Sequence, residues 1–442
     1  MVSRSRELSA EQIAIQETRK TKKQKQTHPT PPQVDDRGKI VERTWLKCSE
    51  SDDTREAFRV KLLTWNLLAQ CLIRRELFPV SDCLKAAQRE HMIYRELLSQ
   101  DADILCLQEV DRLEKVLPVL DAASYSHHYA AGPNKKHGCL IAFKTSLYSK
   151  IGDRKVEYDN EEVRDDVEGP GRKGASFRTK NIGSIVALKS TTDENRGVIV
   201  ATTHLFRHPR YTYERARQAG ILRREVLKFR KERGLQKWPC IVAGDFNFAP
   251  DDAAYSLLVG DPLLPAQIEL IINSHVVHAT IDPTVLPVKE TSEEDEASDP
   301  DKVITNARSA APTDGLLSPS ELIALFALHK PIDMLSAYDR GLRNIRRSSA
   351  TSTVATFGDR ITLDPKRLGA HEPEWTSYTH YWKTVLDYIF IMESEEDSSL
   401  ITGLLSPHRT ADLDPGIPRK GICGSDHVSL CAQIEFVPHR DL

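Results

Sequence analysis

The fold of this chain is decided by a stretch that reads Pro239-Cys240-Ile241-Val242-Ala243-Gly244-Asp245-Phe246-Asn247. Its first part, Cys240–Ala243, is a run of small and branched apolar residues, which is typical of a buried strand. Asp245 and Asn247 are two residues apart, so their side chains point to the same side at the end of that strand. The Asp can orient a water molecule and the Asn can donate to a phosphate oxygen. A plain Gly-Asp turn remains the alternative.

Five other apolar runs also end in polar residues. They are Thr64-Trp65-Asn66, Leu107-Gln108-Glu109, Thr203-His204-Leu205, Leu386-Asp387-Tyr388 and Ser425-Asp426-His427. Taken alone, each has an ordinary explanation: Asn66 suits a helix cap or turn, Glu109 suits a surface position before a helix, and a single buried His is usually structural. Together, their oxygen atoms suit Mg²⁺ or Mn²⁺, and paired Asp and His residues suit the attack of an activated water on a phosphate. The set predicts metal-dependent hydrolysis of phosphate esters.

Strand-like runs alternate with helical patterns from Phe58 onward. The predicted strands are Val60–Trp65, Ile104–Val110, Gly138–Lys144, Ser184–Leu188, Gly197–Thr203, Cys240–Ala243, Val385–Ile391 and Val428–Phe436. Several of them are apolar on both faces, as buried strands are. The predicted helices are Ala86–Ser99, Tyr213–Lys231 and Asp252–Leu258, with a further helical segment over Ser318–Leu342. The pattern predicts an α/β fold in which two packed sheets carry helices on their outer sides.

Three regions interrupt this pattern. Residues 1–56 are predicted to be a basic, disordered tail, with an RNA-contacting arm or a nuclear targeting signal as the alternative. Residues 57–442 form the predicted catalytic domain, and an acidic segment around residues 285–315 is predicted to be a disordered insertion within it. Residues 153–180 are charged and Gly-rich, which predicts a long loop over the site.

Composition limits the possible classes of function. The formal net charge of the 442-residue chain is −3, so any nucleic-acid site must depend on local basic patches. No run approaches the roughly eighteen apolar residues of a membrane span, and the first residues lack the apolar core of a signal peptide. The 8 cysteines form no CxxC pair and lie mostly in apolar runs, which indicates reduced thiols of an intracellular protein.

The order of the motifs resembles that of the endonuclease/exonuclease/phosphatase superfamily, over about residues 58–437. This family has the DNase I-like fold, a four-layer α/β sandwich of two mixed β-sheets flanked by helices. The strings Thr64–Gln70, Leu107–Asp111, Gly244–Asn247 and Leu386–Phe390 resemble its deadenylase branch. That branch includes nocturnin, the Angel proteins, the carbon catabolite repressor deadenylases and the fungal Ngl RNA exonucleases. The His-, Pro- and Arg-rich loop Phe206–Tyr211 favours the Ngl group.

The resemblance implies a metal site. Glu109 would be the main ligand of Mg²⁺, with Mn²⁺ as the alternative ion, and Asn66 and Asp426 would lie near the metal or the phosphate. The chain departs from the family pattern at Tyr381-Trp382-Lys383-Thr384, where relatives often have a small residue such as Gly. The pocket beside this segment is therefore expected to differ.

The resemblance also implies the catalytic roles. Asp245 would orient the attacking water, and Asn247 would hold a phosphoryl oxygen. His427, paired with Asp387, would stabilise the transition state, because a carboxylate on one imidazole nitrogen raises the pKa of the other. His204 would contact the phosphate.

Three further residues are predicted to bind substrate. Asn181 matches another family Asn that reaches the substrate. Arg207 and Arg210 follow His204 in a basic, aromatic loop that can grip phosphates and stack bases of a single strand, and an ordinary surface loop is the alternative.

These residues predict a Mg²⁺-dependent 3′-exoribonuclease that acts on single-stranded RNA, such as a poly(A) tail or the 3′ end of a precursor RNA. The alternatives are a phosphomonoesterase on a nucleotide, such as a nocturnin-like NADP(H) 2′-phosphatase, and a non-catalytic RNA-binding protein. Single-stranded RNA is the predicted partner, in the cytoplasm or the nucleus, with no membrane. The chain has no leucine-rich repeats, so the docking partners of the large deadenylases are not expected.

Overall fold

The structure, a computed structural model, describes residues 36–50, 57–286, 306–327, 334–348, 354–364 and 366–439. The fold reported below is that of the compact unit Arg37–Leu442. Its helices are α1 (Ala86–Ser99), α2 (Leu113–Ala122), α3 (Thr212–Glu232), α4 (Ala253–Val259), α5 (Pro265–Asn273), α6 (Pro319–Ala327), α7 (Ala337–Ser348), α8 (Phe357–Arg360) and α9 (Thr410–Leu413). Its strands are β1 (Trp45–Lys47), β2 (Phe58–Asn66), β3 (Ile104–Val110), β4 (Tyr125–Ala130), β5 (Gly138–Lys144), β6 (Tyr148–Glu157), β7 (Ile182–Ser190), β8 (Gly197–His204), β9 (Cys240–Asp245), β10 (Val276–His278), β11 (Ala307–Ser309), β12 (Leu335–Ser336), β13 (Ser377–Tyr378), β14 (Lys383–Thr384), β15 (Asp387–Met392), β16 (Asp397–Leu405) and β17 (Leu430–Pro438).

Most of these strands form two mixed sheets. The first sheet has the order β1-β16-β17-β2-β3-β5-β4, and the second has the order β12-β15-β9-β8-β7-β6. Each sheet contains one parallel pair, β2 with β3 and β8 with β9. The neighbouring strands β17 and β15 run antiparallel to these pairs. The polar residues of the site therefore come from two kinds of strand end. These are the carboxyl ends of the four parallel strands and the amino ends of β15 and β17.

Both faces of the central strands of each sheet are buried. Leu62 packs in the core between the sheets, whereas the next residue, Leu63, packs under α1 and α2. In the second sheet Val200 packs in the same central core, and its neighbour Ile199 packs under α3. Each fully buried side chain of this kind contributes about 1.5–3 kcal/mol of transfer free energy. The predicted four-layer α/β sandwich is confirmed, and the burial of both faces explains the continuous apolar runs.

The predicted loop 153–180 is shorter than expected, because residues 153–157 complete strand β6. This strand lies at the edge of the second sheet, and its charged face is exposed. Lys150 and Asp153 form an ion pair of 2.8 Å on that face. Charged residues protect an edge strand from pairing with another chain. Because charged residues are also common in loops, the sequence of this strand predicted a loop.

The predicted helical segment Ser318–Leu342 contains two separate helices, α6 and α7. The short strand β12 precedes α7 and pairs with β15. This interruption brings α7 against the second sheet and the end of the first, where Gly341 allows close contact with Leu404.

Both predicted peripheral regions include ordered residues. Within the predicted tail, β1 pairs with β16, and residues 1–35 and 51–56 lie outside the described residues. Within the predicted insertion, β11 pairs with β10, and Arg308 lies 3.0 Å from Asp282 and 2.7 Å from Asp314. The acidic stretch Glu290–Asp301 lies outside the described residues. Across the part of the chain that the structure describes, no helix is long and apolar enough to cross a membrane.

Candidate active site

Three predicted catalytic side chains stand in register across the second sheet. His204 is the last residue of β8, Asp245 is the last of β9, and Asp387 is the first of β15. Asp245 pairs with His204 on one side and with Asp387 on the other, and directly opposed side chains of neighbouring strands are close together. His204 Nε2 lies 3.6 Å from Asp245 Oδ2. Strand pairing therefore assembles this part of the site from three distant segments.

His427 lies between two buried carboxylates. Its Nδ1 is 2.8 Å from Asp387 Oδ2, and its Nε2 is 3.7 Å from Asp245 Oδ2. Burial lowers the pKa of His427, but the charges of Asp387 and Asp245 outweigh burial and raise the pKa well above its usual value. Thr376 Oγ1 accepts a hydrogen bond of 3.0 Å from Asp387 N and so fixes the strand end. The structure thus provides a charged imidazolium at a defined position.

Glu109 lies in a local irregularity at the end of β3, where the register with β5 shifts. Its φ is 56°, a left-handed conformation that non-glycine residues adopt only at some cost. Its Oε2 accepts a 2.8 Å hydrogen bond from Ala69 N, and its Oε1 lies 3.7 Å from His204 Nδ1. Burial raises the pKa of Glu109, but His204, the Ala69 N–H and Asn66 together lower it below its usual value. The site therefore holds an ionised carboxylate.

Asn66 connects the two sheets through its side-chain amide. Its Nδ2 donates to Asp245 Oδ2 at 2.9 Å and to Glu109 Oε1 at 3.2 Å, while its Oδ1 accepts from Leu68 N at 2.9 Å. This orientation is fixed, because both carboxylates can only accept and the backbone N–H can only donate. The family resemblance places Asn66 near the metal or the phosphate. In the structure its amide nitrogen holds the two carboxylates in place, and its oxygen, which accepts from Leu68 N, keeps a second lone pair, so the place of Asn66 near the metal or the phosphate stays a prediction.

Two acidic residues of the site, Glu109 and Asp426, suit a divalent cation. Glu109 and Asp426 offer hard oxygen atoms of the kind that Mg²⁺ prefers. Burial raises the pKa of Asp426, and the nearby charge of Glu109 raises it further, so a cation between them would relieve their repulsion. Asp245, Asp387 and His427 also present ligand atoms within 4.8 Å of one another. His427 already uses Nδ1 for Asp387, which favours a hydrogen-bonded catalytic cluster over a metal site there.

Asn247, predicted to hold a phosphoryl oxygen, and Asn181, predicted to bind substrate, each donate one side-chain hydrogen bond to a backbone carbonyl. Asn247 Nδ2 donates to Leu205 O at 2.9 Å, and Asn181 Nδ2 donates to His204 O at 2.6 Å. The φ of Asn247 is 55°, again in the left-handed region. An amide has two N–H groups, so each residue keeps a second donor for a phosphate oxygen.

Arg89, on α1, joins the two loops that carry the metal-site residues. It is 3% exposed and donates to Leu67 O at 3.0 Å, Leu68 O at 2.6 Å and Gly424 O at 2.7 Å. It therefore fixes the loop after Asn66 against the loop before Asp426. Arg89 could not be identified from the sequence, because an arginine within a helical pattern does not show which carbonyls it will reach.

Lys135 and His137 line a small recess together with Glu109, Asn181 and His204. Lys135 Nζ donates to Asn181 Oδ1 at 3.3 Å. Burial lowers the pKa of Lys135, and the nearby Cys139, Asp159 and Glu109 oppose this shift without cancelling it. Lys135 and His137 could not be identified from the sequence either, because they lie in a polar connection between β4 and β5 that is typical of an ordinary turn.

The predicted basic loop lies directly after His204, and Arg207 and Arg210 are exposed on it. Arg215, at the start of α3, shapes this loop by donating to His208 O and, at 3.0 Å, to Pro209 O. The same guanidinium lies 3.0 Å from the Asp252 carboxylate. Arg215 therefore holds the backbone of the loop from its buried side, and the side chains of Arg207 and Arg210 lie on the exposed side.

Comparison with known proteins places this site in a family. The sequence profile described as "Endonuclease/Exonuclease/phosphatase family" matches residues 63–427. A probable RNA exonuclease of Schizosaccharomyces pombe is 30% identical over 87% of this chain and 77% of its own length. The RNA exonuclease NGL2 of Saccharomyces cerevisiae is 27% identical over 90% of this chain and 82% of its own length.

Solved structures share the fold. ANGEL2, a 2′,3′-cyclic phosphatase, matches with a TM-score of 0.58 and 20% identity, over 90% of this chain and 99% of its own. The human nocturnin catalytic domain matches with a TM-score of 0.51 and 18% identity, over 89% of this chain and 98% of its own. The resemblance and the fold predicted from the motifs are thus confirmed. The chain belongs to the endonuclease/exonuclease/phosphatase family and is a hydrolase of phosphate esters.

Proposed function

We propose that this protein is a Mg²⁺-dependent 3′-exoribonuclease that hydrolyses the phosphodiester bonds of single-stranded RNA, at poly(A) or at the 3′ ends of precursor RNAs. One observation carries the proposal. Asn66 connects the carboxylate of Glu109 in the first sheet to that of Asp245 in the second, where Asp245 faces the His427 imidazolium. The similarity to proteins named RNA exonucleases supports RNA as the substrate class, and an RNA substrate would place the protein in the cytoplasm or the nucleus.

Glu109 and Asp426 would hold the Mg²⁺, which supplies positive charge to the phosphate and makes a bound water more acidic. Asp245 is the group that orients the attacking water. Its Oδ1 accepts from Asn247 N at 3.0 Å and its Oδ2 accepts from Asn66, so the carboxylate cannot rotate freely. A fixed carboxylate positions a water without reorganisation during the reaction.

His427 would donate a hydrogen bond from Nε2 to a phosphoryl oxygen as negative charge develops there. Asp387 stabilises the protonated imidazole through Nδ1. Asn247, Asn181 and His204 would hold the remaining phosphoryl oxygens. Preorganised donors of this kind are often the largest single contribution to catalysis.

A phosphomonoesterase acting on a nucleotide is the second candidate. The recess lined by Lys135, His137 and Lys180 beside Glu109 and His204 favours it, because it places two lysines next to the proposed site. A non-catalytic RNA-binding protein is the weakest alternative, since each proposed catalytic role has a residue of suitable chemistry, and the side chains of Asp245, Asp387 and His427 lie close together.

One experiment separates these functions. The protein would be incubated with end-labelled poly(A), RNA of mixed sequence, and NADPH, each with Mg²⁺ or with EDTA. We expect shortening of the RNA from its 3′ end in Mg²⁺ only. Release of phosphate from NADPH with intact RNA would establish the second candidate, and binding of RNA without any hydrolysis would establish the third.

Arg207 and Arg210 should contribute to RNA affinity. Replacing both by Ala is expected to raise KM for oligoadenylate and to flatten its dependence on salt, because fewer counterions are released on binding. Hydrolysis of a mononucleotide-sized substrate should change less, and the metal requirement should persist. KM measured between low and moderate salt tests this expectation.

Arg95→Ala with Arg347→Ala is the matched control, since both arginines are exposed on α1 and α7, helices that contribute no predicted catalytic, metal or substrate residue. An unchanged salt slope in the Arg207 and Arg210 variant would show that the loop does not grip RNA.

A further inference from the structure

A single buried amide, that of Gln218 on α3, joins the two segments that follow β8 and precede β7. Gln218 is 0% exposed. Its Oε1 accepts from Phe206 N at 3.1 Å, and its Nε2 donates to Thr179 Oγ1 at 3.0 Å and to Glu214 Oε1 at 3.1 Å. The amide orientation is fixed, because the Phe206 N–H can only donate and the Glu214 carboxylate can only accept. The Gln218 side chain is fully buried, so leaving its polar atoms without partners would be costly, although Phe206 and Thr179 are themselves half-buried.

Thr179, which Gln218 contacts, is in turn hydrogen-bonded to Asn181. Thr179 Oγ1 accepts from Asn181 N at 3.1 Å. Asp159 closes the same turn by accepting from Thr179 N at 3.0 Å and from Lys180 N at 2.8 Å. Lys180 has a φ of 57°, so this turn depends on its hydrogen bonds to keep a left-handed residue. The side chain of Asn181 then reaches His204 O, as described above.

The Phe206 side leads to the basic loop. Phe206 immediately precedes Arg207, and its backbone N–H is the group that Gln218 holds. The first turn of α3 is itself immobilised, because Glu214 and Arg217 are both 0% exposed and form an ion pair of 3.0 Å. Arg217 also donates to Tyr158 O at 3.1 Å. Gln218 therefore connects both segments to a rigid support.

We propose that Gln218 is a positioning residue that sets the spacing between Asn181 and the arginine loop, so that both grip the same stretch of substrate. The proposal rests on the proposed function for its consequence, since it concerns the binding of the RNA strand. Gln218 itself touches no reacting group, because its three partners are Phe206, Thr179 and Glu214. Its effect should therefore fall on KM rather than on kcat.

The test substitutes Gln218→Met, which keeps the length of the side chain and removes its hydrogen bonds. Gln267→Met is the matched control. Gln267 is 4% exposed, accepts from Leu264 N at 3.0 Å, and donates to Asp251 O at 2.7 Å and to Ser256 Oγ at 2.9 Å. From α5 it likewise accepts from a backbone N–H and donates to two oxygen acceptors, with a further contact of 3.4 Å from Arg367 to its Oε1, and it bonds to neither substrate-binding segment. Both variants should lose similar thermal stability.

We expect Gln218→Met to raise KM for oligoadenylate about tenfold, with kcat changed less than about threefold, since only binding contacts shift. Gln267→Met should leave both constants near those of the wild type. An equal rise in KM in both variants, or a loss confined to kcat, would overturn the proposal.

Hydrogen–deuterium exchange tests the connection independently of any substrate. Peptides covering residues 179–181 and 204–211 should both exchange faster in Gln218→Met and remain unchanged in Gln267→Met. Faster exchange in one segment alone would disprove the bridge. If the wild type hydrolyses neither RNA nor nucleotide, the proposed function fails, and the exchange data still decide whether Gln218 couples the two segments.

Discussion

Glu109→Gln is expected to lower kcat about 100-fold or more while the protein stays folded. Substitutions of residues that merely support metal ligands already cost about 10–100-fold, and Glu109 is the ionised carboxylate that the hydrogen bond from Ala69 directs into the site. The amide keeps the size of the side chain but removes its charge, so Mg²⁺ affinity should fall with activity. In the wild type, Mg²⁺ should raise the melting temperature, because a cation that binds only the folded state stabilises it. That rise should be lost in Glu109→Gln.

Glu435→Gln is the control for this prediction. Glu435 is 1% exposed and pairs with Arg59 at 2.9 Å, near the start of β2 and far along that strand from Asn66. The control should lose stability without losing its response to Mg²⁺. Wild-type activity in Glu109→Gln at matched Mg²⁺ concentrations would remove Glu109 as the main ligand.

Asp387→Asn and His427→Ala are expected to lower kcat by similar large factors, about 10³-fold or more, and the double variant should lose little further. The reason is that both changes disable one imidazolium: one removes the ring and the other removes the charge that stabilises it. Residues that act as a unit show strongly non-additive losses. Single-turnover rates of all three variants at saturating substrate measure this. If the two losses multiply in the double variant, Asp387 and His427 act separately.

The central strands could be predicted from the sequence because the sandwich buries both of their faces. Ile104–Val110 and Gly138–Lys144 were predicted with the bounds that the structure has, since a continuous apolar run has few other uses. The same pattern did not predict the edge strands β4 and β6. Tyr125–Ala130 contains two histidines and one serine, and β6 alternates charged residues on its exposed face. Edge strands need such residues, so their periodicity resembles that of loops.

The site could be predicted where its chemistry lies at the ends of strands. Asp245, Asp387 and His204 stand together because strand register places them so. The role of Asn66 could not be predicted, because it depends on which group meets each end of the amide. Arg89 could not be predicted for a related reason: its partners, such as Gly424, are distant in sequence. A pattern of residue types does not contain these contacts, which form only when the two sheets pack.

The position of β17 has a consequence for synthesis of the protein. This strand lies inside the first sheet, paired with β16 on one side and with β2 on the other, yet it follows all the other strands of that sheet along the chain. While β17 is still inside the ribosome, the growing chain lacks the strand that joins β2 to β16. Asp426 and His427, which lie just before β17, are then missing from the site as well. Closing this long loop makes assembly of the sheet a slow, late step. The nascent protein therefore cannot acquire its hydrolytic activity before β17 and the residues just ahead of it have left the ribosome.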